Sequence, residues 1–299
     1  MILHVVIPAY GPSPYLREAI QSAIKAVYSE TPITVIDDAS ITGDVSQISQ
    51  EFAPRVRYTR NPSNLGLATN FLHSFNISEA EFTVVLGSDD LMLIGFEESL
   101  RKVLDKFPNV SVVLPSVSVV NELGNPVNPI VDKIKSKIKG AVHGTVQCDN
   151  KLLIKKLFIG NFVYFPATAW RTDVMKSAVW DTRYKHAVDM DLLFKLAISN
   201  ECFVMTEDKT FLYRRHLESI SSKLALENVR LAEELAVHFT ALKMLPKESG
   251  IVLRLLARLA PTVRAHAMII GFKQMPSNPI KGIKHLLRAI GPLKPLTIQ

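Results

Sequence analysis

With 299 residues, 47% hydrophobic and 21% charged, the chain has the composition of a folded protein, which excludes a disordered one, and the length for one large α/β unit plus an appendage. The formal charge of +7 is uneven: Gly250 to Gln299 holds eight Lys/Arg and no Asp or Glu, so the preceding 249 residues together carry −1. Two cysteines, Cys148 and Cys202, sit in no CxxC or Cys/His cluster, which excludes a zinc centre and leaves both structural.

Leu3–Ile7 is an unbroken apolar run without the basic start of a signal peptide, and reads as a first strand. Ser13 as N-cap and Pro14 at the first position predict a helix over 14–28, with Leu16, Ala19, Ile20, Ala23, Ile24 and Val27 on one face. Further strands are expected at Ile33–Ile36, Val56–Thr59, Phe82–Leu86 and Val110–Leu114, and helices at Leu67–Phe75 and Phe96–Phe107. This alternation predicts an α/β, Rossmann-like, mostly parallel central sheet flanked by helices. Beyond it, Val117–Val120 and the Asn121–Asn125 turn suggest a hairpin and 132–144 a basic, irregular loop. Met190–Ile198 reads as a helix, Phe203–Thr206 and Phe211–Arg214 as two strands, and Leu224–Leu245 as a helix. No run of about 18 apolar residues occurs. The expectation is therefore a chain that does not span a membrane and works in the cytoplasm.

In open parallel sheets ligands bind beyond the carboxyl ends of the strands. Three strands end there in Pro8-Ala9-Tyr10, Asp37-Asp38-Ala39-Ser40 and Gly87-Ser88-Asp89-Asp90. The first turn has no GxGxxG and the chain no GxxxxGK[ST], which argues against dinucleotide and P-loop enzymes. Paired carboxylates repel unless a cation joins them, and Mg²⁺ or Mn²⁺ takes one or two such ligands together with substrate phosphates. For Asp89-Asp90 the competing role is helix capping ahead of Phe96. For Asp37-Asp38 it is an Asx-turn, against a carboxylate that accepts from a nucleobase N–H.

Taken together, VVIPAYG, YLREAIQSAI, ITVIDDAS, NLGLATN, FTVVLGSDD, HAVDMDLLFKLA and FLYRRHLESIS, in that order, resemble a family 2, GT-A fold, inverting glycosyltransferase of bacterial surface-polysaccharide type, over about Ile2 to Ser222. The resemblance implies a nucleotide-sugar donor, UDP-linked by preference, and Mn²⁺ or Mg²⁺ as cofactor. It implies Pro8, Ala9 and Tyr10 as a nucleotide-contacting loop, Asp38 as the base-reading carboxylate with Asp37 beside it, and Asn64 and Asn70 near the nucleotide; Asn64 equally suits an ordinary turn. Ser88-Asp89-Asp90 matches the DxD region, with Asp90 on metal and Asp89 on metal or ribose, although Gly87 stands where many members have Asp. Asp189 matches the catalytic base, with an N-cap as its alternative; Asp191, about 200° away around a helix, cannot face the same way. Arg214-Arg215-His216 matches the segment closing over the diphosphate, with Arg214 and His216 on one side of the strand. Trp170 and Trp180 suit either an acceptor sugar or the core. The absence of QxxRW implies a non-processive enzyme.

The expected division is a catalytic domain over 1–222 and a basic, amphipathic helical region over 223–299. In the latter, Ile251, Val252, Leu255, Leu256, Leu259 and Val263 form a stripe opposite Arg254 and Arg258. Lys281, Lys284, His285 and Arg288 oppose Ile283, Leu286, Leu287 and Ile290. Such helices suit an anionic membrane surface at the inner face of the cytoplasmic membrane, packing on the catalytic domain, or a homo-oligomer contact. Nucleic acid is not expected, for the basic residues lack interleaved aromatics. The expected acceptor is a saccharide or lipid-linked saccharide; the competing reading is a catalytically weak nucleotide-sugar-binding partner that scaffolds other transferases.

Overall fold

The apolar runs of the N-terminal half become adjacent parallel strands. In the computed structural model, which describes residues 1–216 and 228–295, β1 (Leu3–Ala9), β2 (Ile33–Asp37), β3 (Arg57–Arg60) and β4 (Phe82–Val85) lie in the order β3-β2-β1-β4. Val5 faces Ile33, Ala9 faces Asp37 and Leu3 faces Phe82. The connections carry α1 (Leu16–Ala26), α2 (Asp44–Gln50) and α3 (Leu67–Asn76). Continuous apolar runs suit strands covered on both faces, and β1, β2 and β4 are almost wholly buried.

The second half makes the sheet mixed. It contributes β5 (Leu91–Met92), α4 (Phe96–Lys106), β6 (Val112–Val120), α5 (Ile130–Lys139), β7 (Thr145–Gln147), α6 (Asn150–Ile159), β8 (Ala169–Arg171), α7 (Thr172–Ser177), α8 (Val188–Ile198) and β9 (Phe203–Arg214). The nine-stranded path continues β4-β8-β6-β9-β5, with β7 also on β9. Short β8 runs antiparallel to β4 and β6, whereas β6 and β9 are parallel.

Four local expectations change. Helix α1 starts at Leu16, not Pro14; Ser13 instead accepts from the Tyr15 amide at 3.4 Å. The two strands expected over 110–120 are one, β6, whose register against β9 shifts around Ser116, beside Pro115, which has no N–H to give the ladder. The expected loop over 132–144 contains α5; Ile130, Ile134 and Ile138 carry its four-residue spacing. The two strands expected over 203–214 are one, β9.

Helices cover both faces of the sheet. Leu16, Ile20 and Ala23 of α1 and Phe96, Leu100 and Val103 of α4 share one apolar cluster with β1, β2 and β4. On the other side Leu157 and Phe158 of α6 and Leu192, Leu193 and Phe194 of α8 meet Ala236, Val237 and Ala241 of α9 (Asn228–Met244). The 222/223 boundary and the start of the Leu224–Leu245 helix lie outside the described residues; from Asn228 onward, α9 packs into the same core as α6 and α8.

Three helices follow: α10 (Ile251–Leu259), α11 (Pro261–Gln274) and α12 (Pro279–Ile290). Their aliphatic stripes turn outward, and one basic-face residue is misplaced by the expectation. Ile251, Val252, Leu255 and Leu259 are exposed while Ala257 is buried, and His285, expected on a basic face, is buried with Gly282 and Ala289. Among the described residues, Ile251–Gln274 reaches the length and mean hydropathy, 1.2, of a membrane-crossing segment, by length and composition only. Its backbone breaks at Ala260, which takes a left-handed conformation between α10 and α11.

Candidate active site

The parallel register brings Ala9, Asp37 and Arg60 to one edge of the sheet. The turn after β4 arrives beside them, closed by the Asp90 amide donating to the Gly87 carbonyl at 3.1 Å. β9 ends against this turn: the Arg214 amide donates to Asp90 Oδ1 at 2.8 Å, and His216 Nε2 lies 2.8 Å from Asp89 Oδ2. Arg214 reaches the Asp89 carbonyl through Nε, and His216, beyond the end of β9, reaches the Asp89 carboxylate. The other carboxylate oxygens converge over Gly87: a Cβ there would lie 2.7 Å from Asp90 Oδ2 and 3.0 Å from Asp89 Oδ1. Asp90 is buried, and desolvation, then repulsion from Asp89, pushes its carboxyl well above the usual range. A cation removes that penalty. Among the described residues no group of three or more His, Cys, Asp or Glu gathers to hold a metal. Two hard carboxylates suit a Mg²⁺ or Mn²⁺ that takes its remaining ligands from a diphosphate and water, so Asp89 and Asp90 fit the implied ion.

Arg214 corrects an expectation. Its guanidinium does not reach outward for a phosphate: Nε donates to the Asp89 carbonyl, one terminal nitrogen to the Glu122 carbonyl and the other to Glu18 at 2.6 Å, and the group lies 4.4 Å from the Tyr15 ring centroid. The side chain is 2% exposed. Arg214 braces the aspartate turn.

Asp37 and Asp38 are both buried and divide their tasks. Asp37 accepts from the Ser40 amide, Tyr58 Oη and Arg60. Burial works against its charge, but the hydrogen bonds from Ser40, Tyr58 and Arg60 prevail and hold its carboxyl below the usual range. Asp37 thus braces the end of β2, and the Asx-turn expected at Asp38-Ala39-Ser40 is not formed, for the Ser40 amide goes to Asp37 and the Asp38 carboxylate to Asn61, Leu65 and Gly66. Asp38 accepts from Asn61 Nδ2, the Leu65 amide and the Gly66 amide, and Asn61 also donates to Asn70 Oδ1 at 3.2 Å. Asp38, Asn61 and Asn70 therefore shape the loop entering α3, while Asn64 makes a local turn through the Gly66 amide. Tyr10 is exposed beside this edge, Pro8 and Ser88 are half-buried, and Ala9 is buried in β1.

Asp189 lies in the first turn of α8, half-buried, accepting from Asn161 Nδ2 at 3.0 Å and the Met190 amide at 2.7 Å. The helix begins at Val188 with Ala187 as its cap, so Asp189 is not the N-cap. Asp191 turns away and pairs with Lys195 at 2.6 Å. The start of α8 is gripped from elsewhere: Glu233 of α9, 2% exposed, accepts from the amides of Lys185, His186 and Ala187 at 2.8–3.1 Å.

Sequence reasoning missed Asn161, Asn61, Glu233 and a group around α5. Asp132 takes a two-pronged ion pair from Arg215 at 2.7 and 2.8 Å and a hydrogen bond from Tyr164 Oη at 2.7 Å. Lys135 sits 4.1 Å from the Tyr164 ring centroid. Desolvation, with repulsion from Arg215, brings the Lys135 pKa down to about 8, against attraction from Asp189 and Asp132. Arg215 also acts on Asp90. The helical period of α5 was the available signal. Trp170 is fully buried in β8, and Trp180 donates to the Met175 carbonyl and packs on Phe75, so both serve packing. The 217–222 end of the FLYRRHLESIS motif lies outside the described residues.

The sequence model described as Glycosyl transferase family 2 matches residues 4–161, more than half of the chain. An uncharacterised glycosyltransferase of Rickettsia felis is 22% identical over 156 residues, 48% of this chain and 26% of that protein, so the match spans about a quarter of the relative's length. Staphylococcus aureus TarS 1-349 in complex with UDP-GlcNAc superposes with a TM-score of 0.63 at 15% identity, covering 96% of this chain and 89% of that one. The mannosyltransferase PcManGT of Pyrobaculum calidifontis, in complex with GDP-Man and Mn²⁺, gives 0.59 at 13% identity, covering 97% and 75%. These likenesses show the GT-A fold.

Proposed function

The chain belongs to glycosyl transferase family 2, and from that premise we propose that it transfers a sugar from a nucleotide-sugar donor to a saccharide or lipid-linked saccharide acceptor of cell-surface polysaccharide assembly. The observation that carries the reading is the pair of converging carboxylates, Asp89 and Asp90, in the turn after β4, with the half-buried Asp189 held by Asn161 as the candidate base. A UDP-sugar is the proposed donor, supported by the UDP-GlcNAc bound to TarS.

In the proposed reaction the acceptor hydroxyl oxygen attacks the anomeric carbon, the bond to the diphosphate breaks with its electron pair, and the acceptor proton passes to Asp189. One displacement inverts the anomeric configuration. Asn161 holds Asp189 Oδ2 and thereby orients the base. A bound Mn²⁺ or Mg²⁺, held by Asp89 and Asp90, supplies neutralisation of the charge on the leaving diphosphate. The exposed Tyr10 and the Asp38–Asn61–Asn70 loop border the space where the nucleoside would lie.

The test is UDP release from UDP-GlcNAc with Mn²⁺, alongside Mn²⁺-dependent UDP binding. Asp189→Asn should lower turnover about 10²- to 10⁴-fold while UDP still binds. Asp90→Ala should lose the metal-dependent binding. Wild-type behaviour in both variants would overturn the assignment.

A further inference from the structure

The helices α10, α11 and α12 pack in a way unlike the rest of the molecule. Soluble helices bury their large aliphatic residues and turn small or charged ones outward. Here α12 carries three stripes, each at spacings of three and four residues. Gly282, His285 and Ala289 are buried; Ile280, Ile283, Leu287 and Ile290 are exposed; and Lys281, Lys284 and Arg288 are exposed on the next face round. In α11, Val263, Ala267 and Gly271 are buried while Met268, Ile269 and Phe272 face outward, Phe272 being 65% exposed. In α10, Ile251, Val252, Leu255 and Leu259 are exposed around buried Ala257.

The α11–α12 contact is made by small residues at close range. A Cβ on Gly271 would lie 2.9 Å from Leu286, and one on Gly282 would lie 2.8 Å from the Gly271 carbonyl oxygen. Close glycine contacts with large aliphatics turned outward characterise helices whose surroundings are as apolar as their side chains. The Ile251–Gln274 stretch agrees: by length and composition it suits a bilayer, yet only 28% of its apolar 18-residue window is buried inside the molecule.

Charge selects the occupant. Among Gly250 to Gln299 there are eight Lys/Arg and no acid, and the basic stripe of α12 borders its aliphatic stripe directly. A helix with an apolar face edged by cations lies in the interface of an anionic bilayer, its aliphatic groups among acyl chains and its cations at headgroup phosphates. We propose that the outward aliphatic stripes of α10–α12, edged by Lys273, Lys281 and Lys284, form a lipid-facing surface that seats the protein on an anionic membrane.

Helix α5, which places Asp132 and Lys135, turns Ile130, Val131 and Ile134 outward as well, and its Ile138 and Thr262 of α11 both lie close to Gly160. Seating the chain on these helices would hold the catalytic edge near a lipid-linked acceptor. That last step rests on the reading of function above; the lipid contact itself does not.

The test uses the full chain and vesicles of phosphatidylcholine with or without phosphatidylglycerol, in the absence of nucleotide sugar. The protein should bind the anionic vesicles. Replacing Ile269, Phe272 and Leu287 together by Ser should weaken binding at least about 10-fold. Replacing Lys273, Lys281 and Lys284 together by Gln should weaken it on the order of 100-fold, about 5-fold per cation. Melting temperature and UDP release in solution should be unchanged in both variants. Failure of the wild type to bind, or equal binding by both variants, would overturn the proposal. So would light scattering in which the Ser variant turns a dimer into a monomer with vesicle binding unchanged, for the face would then join two copies of the chain. Loss of UDP release with vesicle binding intact would instead count against the transfer reading alone.

Discussion

Gly87 marks how the site differs from the pattern its sequence resembles. Its φ is not in the left-handed region, so the backbone does not demand glycine; the space does. A side chain would press on Asp90 Oδ2 and Asp89 Oδ1, and Asp90 cannot retreat, being buried and held by the Arg214 amide. The missing aspartate is thus the opening onto which both remaining carboxylates point. Gly87→Ala should weaken Mn²⁺-dependent UDP binding by roughly 10-fold, the cost of modest overpacking. Titration calorimetry with and without Mn²⁺ checks this; undiminished affinity would mean that the two carboxylates move apart freely. The acid pairs were legible as residues of interest. Their tasks were not: Asp37 and Asp89-Asp90 look alike in sequence, and only the neighbours Ser40, Tyr58 and Arg60 turn the first into scaffold.

At the level of elements, the start of α8 depends on a helix more than forty residues further along. Glu233 accepts from three successive amides of the segment leading into α8, backbone donors that need partners where the chain is packed. A carboxylate there also favours the positive end of the helix dipole. Glu233→Gln keeps the size but loses the charge and one acceptor oxygen. It should cost about 1–3 kcal/mol of stability and, because Asp189 sits in the helical turn that follows directly, lower kcat for sugar transfer more than KM for the donor. Chemical denaturation and steady-state kinetics separate the two effects; a lower midpoint with unchanged kcat would confine Glu233 to stability. In the sequence Glu233 stands beside Glu234 on the expected helix, with nothing to set it apart. Nothing in its spacing announced a partner at Lys185–Ala187.

For the whole molecule, two buried histidines make stability depend on pH. His238, fully buried between Phe158 and Phe194, makes a 3.2 Å hydrogen bond to the Ala257 carbonyl through Nδ1. Desolvation lowers its pKa to about 4 against the support of that carbonyl. His4, bonded to Thr34 at 2.9 Å, is also lowered to about 4, by burial and then by Arg57. A folded pKa below the ordinary 6.5 means that the unfolded chain takes up protons first as pH falls. The stability each histidine carries is full above pH 6.5 and is lost between 6.5 and about 4, on the order of 3 kcal/mol for His238. The melting temperature should fall across that window. His238→Gln, which keeps a donor for Ala257, should flatten the fall; an unchanged slope would place the acid sensitivity elsewhere.

The sequence by itself determined the buried strands β1, β2 and β4, the helices α1, α3, α4 and α8 within a few residues, the acidic strand ends and the resemblance that implied the GT-A fold. Those features are local, for apolar spacing fixes what a segment is and which stripe it can bury. The merging of paired runs into β6 and β9, the antiparallel place of β8, and which acids and cations meet were decided by tertiary structure. Arg214 finds Asp90 across 124 residues and Glu18 across 196, and sheet order alone brings such groups together. The outward aliphatic faces of α10–α12 are the sharpest case. Helical spacing showed amphipathic helices, but which stripe turns inward depended on Gly271, Gly282 and Ala289, whose small size lets the helix backbones approach closely.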